Sequence, residues 1–152
     1  MQDKMIFSEV FRDVLMRFAF MFGEECSKNE LPPNDFDYIH VRVCFNGYKR
    51  GCIGILAPVE LCDEMAANVL GTDMEDDNCA GDAVDTLEEL TNIMSGQFLT
   101  GAYGSEPIFN LSPPLVSEAD KSEWSEITDS DDSLAFMVED LPALIYLEGK
   151  DD

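Results

Sequence analysis

Basic residues are scarce: 9 Lys and Arg face 32 Asp and Glu, leaving a net charge of -23. Such a surface repels polyphosphate backbones and anionic lipid headgroups, so neither nucleic acid nor a membrane is an expected partner. No apolar run is long enough to span a bilayer, and MQDKMIFSEVF lacks the charged and then apolar regions of a secretion signal. A cytoplasmic location is expected. The single histidine, His40, lies in an alternating run without a spaced partner for metal or triad chemistry, and reads as structural. There is no Gly-rich phosphate loop and no nucleophile elbow. The 5 cysteines are widely spaced without a CxxC, which argues against a disulfide framework or zinc knuckle; reduced thiols are expected. The acidic run around Asp73, Glu75, Asp76 and Asp77 lacks the Gly and closing Glu of a calcium loop and reads as solvated charge.

What is present fits one domain over residues 1–152, with 45% hydrophobic residues able to form a core. A broad apolar stripe from Lys4 to Phe22 predicts a largely buried helix, ended by Gly23 and then Pro32 and Pro33. Tyr38, His40, Arg42 and Cys44 alternate with Ile39, Val41, Val43 and Phe45, which predicts a two-faced strand. Asn46-Gly47 signals a hairpin, with Gly51 to Leu56 returning antiparallel. Pro58 precedes a short helix through Leu70, and Asp82 opens a longer one to about Ala102. A strand around Ile108 to Ser112 precedes Pro113-Pro114, and Ser117 to Ser133 reads as loop with a short extended piece near Trp124 to Ile127. Leu134 to Val138 and Ala143 to Leu147 are the last strands, joined by a turn with Asp140 and Pro142. The expected class is α/β (α+β): a mainly antiparallel sheet with helices packed on one face.

On the longer helix, at about 100° per residue, Leu87, Leu90, Met94, Phe98 and Gly101 gather on one side. Asp85, Glu89, Asn92 and Gly96 lie almost opposite, on the row where helical neighbours touch. A solvated helix face is commonly polar, and a bare ExxN carries little by itself. Gly96 is less ordinary, because mid-helix glycine costs about 1 kcal/mol relative to Ala and close approach by another backbone is one reason to keep it.

Asp85, then Glu89 and Asn92 within DTLEELTN, then IMSGQFLTG and a following Pro113-Pro114, resemble the CheC, CheX and FliY phosphatase family. Its signature is an Asp or Ser, an ExxN on a long helix, and a distant Pro. The resemblance is clearest from Gly81 to Val116, with the Pro slightly early. Only one copy of the motif is present, since Glu64 to Asn68 and Glu25 to Asn29 have the wrong spacing; this matches the CheX-like branch. The resemblance implies a phosphatase acting on the phospho-aspartate of a CheY-like response regulator in chemotaxis or related two-component signalling. It implies Glu89 and Asn92 as the catalytic pair; Asp85, Ile93 and Gly96 are expected to face the partner. Asn92 would orient the attacking water and Glu89 would pair with a regulator Lys, while Asp85 either supports the site or caps the helix, the capping role being favoured. It implies a homodimer and no cofactor of its own, Mg2+ residing in the regulator. The alternative is a binding module of the same fold that docks on a regulator or flagellar switch without hydrolysis.

Overall fold

The structure, a computed structural model, describes residues 2–32, 37–70 and 79–150. The acidic run from Asp73 to Asp77 lies outside them. Helix α1 (Gln2–Ala19) leads into β1 (Gly23–Cys26), a 3-10 turn at Lys28–Glu30, and the hairpin β2 (Tyr38–Gly47) and β3 (Arg50–Pro58). Helices α2 (Val59–Leu70) and α3 (Cys79–Tyr103) follow, then β4 (Phe109–Leu111), β5 (Leu115–Ala119), α4 (Lys121–Asp129), β6 (Ser133–Val138) and β7 (Leu141–Lys150). Seven strands form one sheet in the order β1-β6-β7-β3-β2-β4, with β5 also on β2. All of its pairings are antiparallel.

Alternation along β2 divides the molecule. Ile39, Val41 and Phe45 join Phe7, Phe11, Leu61, Met65, Leu90, Met94 and Phe98 in the main core beneath α1, α2 and α3. Tyr38 turns the other way and stacks on Trp124 of α4, with ring centroids 4.1 Å apart. Helices thus cover one face as expected, and one short helix packs on the other. His40 shares this second face and is structural: Nδ1 lies 2.9 Å from Glu123 Oε1 and Nε2 lies 2.6 Å from the Tyr146 hydroxyl. No described helix is long and apolar enough to cross a membrane.

Several expectations change. The stretch read as loop contains the end of β5 and all of α4: Asp120 caps α4 by accepting from Glu123 N–H at 2.9 Å, and Trp124 buries beneath it. Helix α1 stops at Ala19 rather than Phe22, Phe20 adopts φ 56°, and the chain turns into the unforeseen β1. The β2–β3 turn centres beyond Asn46-Gly47, with Cys44 opposite Cys52 and Phe45 opposite Gly51. That register bonds Cys44 to Cys52, with Cα atoms 4.0 Å apart, where reduced thiols were expected. Spacing in the chain does not reveal two cysteines facing each other across a ladder. Cys26 and Cys62 are free. The β6–β7 connection is a turn, as expected, but a shorter one: Val138 pairs with Leu141, Glu139 and Asp140 both take positive φ, and Pro142 lies in β7.

Strands β4 and β5 are two pieces of one edge. Phe45 pairs with Leu111 and Arg42 with Leu115, so three residues, Ser112, Pro113 and Pro114, oppose two on β2. This is a bulge, and it suits the two prolines, which have no N–H for a ladder. Ser112 closes the gap: its hydroxyl accepts from Cys44 N–H at 2.9 Å and its N–H donates to Cys44 O at 2.8 Å.

Candidate functional site

Helix α3 is held by one deeply buried side. Leu87, Leu90, Met94 and Phe98 are fully buried against the sheet and the flanking helices, and Phe98 meets Phe7 of α1 edge-on at 5.5 Å. Thr91 and Ser95 are also fully buried, which would cost free energy if their hydroxyls were unpaired. Each donates instead to the carbonyl one turn back, Thr91 to Leu87 O and Ser95 to Thr91 O, both at 2.7 Å. The polar groups of the inner face are thereby used up within the helix, and the rod is fixed in rotation.

That rotation leaves Asp85 and Glu89 exposed and Asn92, Ile93 and Gly96 half-buried along one ridge. Among the described residues neither Glu89 nor Asn92 forms a hydrogen bond or ion pair, so a carboxylate and an amide stand ready for an external partner. They lie three residues apart, neighbouring positions on a helix surface about 5–6 Å apart between Cβ atoms. Asp85 does not cap: α3 begins at Cys79, so Asp85 falls beyond the first turn, where helix-dipole stabilisation has faded. Its remaining place is on the ridge, one turn before Glu89. Pro113 and Pro114 lie on the sheet edge, in the bulge beside β2.

A Cβ built at Gly96 meets nothing within 4 Å, whereas one at Gly101 would lie 3.2 Å from Ile6 Cγ2. Gly101 is thus accounted for by the packing of α1 on α3, and Gly96 is not. Among the described residues no group of His, Cys, Asp and Glu is arranged to hold a metal ion.

The arrangement can orient a small molecule and form a salt bridge, but it offers no nucleophile with an adjacent base. Residues 39–136 match the family model for the chemotaxis phosphatase CheX. No curated protein sequence matches. Among solved structures, CheX from Vibrio vulnificus superposes with a TM-score of 0.74 at 18% identity, covering 99% of this chain and 97% of that one. CheX from Desulfovibrio desulfuricans gives 0.73 at 14% identity, with 99% and 100% covered. The CheX–CheY–BeF3–Mg2+ complex from Borrelia burgdorferi gives 0.68 at 18% identity, with 97% of each chain covered. With the family model spanning most of the chain and the whole sheet-and-helix arrangement shared, this protein belongs to the CheX family of chemotaxis phosphatases.

Proposed function

We propose that this chain dephosphorylates the phospho-aspartate of a CheY-like response regulator, acting as one domain with one site. The observation that carries the reading is the pair Glu89 and Asn92, presented outward from a rigid helix with no partner among the described residues. A phospho-aspartate is an acyl phosphate with a carboxylate leaving group, so its hydrolysis needs an aligned water more than a strong base. Asn92 supplies the alignment: its side-chain oxygen accepts a hydrogen from the water while its NH2 donates nearby. The water oxygen bonds to phosphorus, the bond from phosphorus to the aspartyl oxygen breaks, and carboxylate and inorganic phosphate leave. Glu89 pairs with a regulator Lys and fixes the register. In this proposal the Mg2+ sits in the regulator; the CheX–CheY complex from Borrelia burgdorferi contains Mg2+. Asp85 and Ile93 border the contact.

The test is phosphate release from a CheY-type regulator charged with acetyl phosphate and Mg2+. Asn92→Ala is expected to lower stimulated release by roughly 100-fold, as misplacing a reacting group does, while binding stays within about twofold. Glu89→Ala is expected to weaken binding about 30-fold or more. Wild-type binding without faster release would instead establish the non-catalytic binding module.

A cytoplasmic location and a homodimer belong to the same proposal. Leu111, Leu115 and Val116 are exposed on the β4–β5 edge and supply an apolar surface for a second copy. Sedimentation at micromolar concentration should give twice the 17.0 kDa chain mass; a monomer there removes the dimer from the proposal without touching the site.

A further inference from the structure

We infer that Gly96 is a docking residue: its missing side chain lets the rim of the regulator's phosphorylated active site seat directly on the α3 backbone, and so sets how deeply Asn92 reaches. This rests on the proposed phosphatase reading and adds a requirement to it.

The first support is elimination. A mid-helix glycine is unfavourable unless something needs the space, and Gly96 is well inside the 25 residues of α3. Gly101 on the same helix has its reason inside the chain, where a Cβ would press on Ile6. At Gly96 a Cβ meets nothing within 4 Å, so packing among the described residues gives no reason for the glycine. Its position assigns the space to a visitor: Gly96 follows Asn92 by four residues, about 6 Å along the axis on the same ridge.

The second support is charge. In a chain with 32 Asp and Glu, nothing from Leu90 to Tyr103 is charged, although Gln97 and Thr100 are exposed on this helix. A phosphoryl group carries negative charge, and a carboxylate beside it would repel it. The carboxylates of the ridge, Asp85 and Glu89, stand on the N-terminal side of Asn92. The bare, neutral side is the one that an anionic centre can approach.

The experiment compares wild type, Gly96→Ala, Gly96→Leu and Asn92→Ala in three measurements. These are thermal unfolding, binding to a CheY-type regulator loaded with beryllofluoride and Mg2+, and phosphate release from the same regulator charged with acetyl phosphate. Gly96→Ala should unfold about 2–4 °C higher than wild type, because the helix gains and no neighbour is touched. It should nonetheless bind and turn over about 5-fold less well, and Gly96→Leu about 100-fold less well, as overfilling a packed contact does. Asn92→Ala should lose release and keep binding. A fall in melting temperature for Gly96→Ala, or a Gly96→Leu variant that binds like wild type, overturns the inference. Wild-type binding without accelerated release removes the phosphatase reading alone, because the binding series still judges Gly96. A wild type that does not bind removes both.

Discussion

Tyr146 shows how tightly single residues are fitted on the face away from α3. Burial pushes its hydroxyl up to about 12, so it stays protonated and can donate. A carboxylate accepts only, so His40 Nδ1 donates to Glu123, and in the neutral ring Nε2 accepts from Tyr146 at 2.6 Å. The ring of Tyr146 lies directly over Gly54, where a Cβ would collide with the ring and with its hydroxyl. Gly54→Ala should therefore force the ring aside, break the link to His40 and destabilise the protein by about 1–3 kcal/mol, read from urea unfolding. Release of phosphate per folded molecule should stay at the wild-type level, because the collision is on the sheet face opposite α3. An unchanged midpoint would mean that the ring has room to move.

Among the elements, α4 depends most on a single local device. Its 9 residues bury only Trp124, too little to hold it by core packing, so the Asp120 cap and the stack of Trp124 on Tyr38 fix it. Asp120→Ala should cost about 1 kcal/mol. Because Trp124 is the only tryptophan, its fluorescence should begin to change before the far-ultraviolet signal of the longer helices. Coincident transitions would show that α4 does not open separately. This helix was not legible in the sequence, because its polar residues lack helical apolar periodicity and its support comes from Tyr38 and His40, distant in the chain. The signal that could have found it is Asp120 followed three residues later by Glu123. Strands β1 and β5 were hidden for a related reason: each is an edge strand, β1 with no buried residue and β5 with one, so burial does not impose alternation. By contrast α2 and α3 bury one face each and print that face as a period, and β2 alternates between the two cores on either side of the sheet. The ridge of Glu89 and Asn92 was legible on the same grounds, since the buried face of α3 fixes what lies opposite. The place of Asp85 was not, because it depends on where α3 begins.

Across the whole molecule, charge is the dominant strain. A net charge of -23 on 152 residues opposes compaction, and the opposition should be greatest where carboxylates crowd. Glu64 is such a place: partial burial chiefly raises its carboxyl above the ordinary range, and Glu139, Asp140 and Glu60 push the same way. Asp63 beside it is raised by burial alone. For an acid whose folded value is raised, the folded state binds the proton more tightly than the unfolded chain. The stability tied to that proton is complete below the ordinary carboxylate value and is lost as pH rises through the raised one. Tyr146 and Cys62, each raised to about 12, remain neutral across this window and do not alter the trend. The melting temperature should thus increase as pH is lowered from about 8 to about 5. Added salt should raise it more at pH about 8 than at pH about 5, because screening relieves repulsion only between groups that are ionised. Glu64→Gln should flatten part of the pH dependence while leaving the salt response of the remaining carboxylates. A melting temperature that falls steadily toward pH about 5 would show that paired, stabilising carboxylates outweigh the crowded ones.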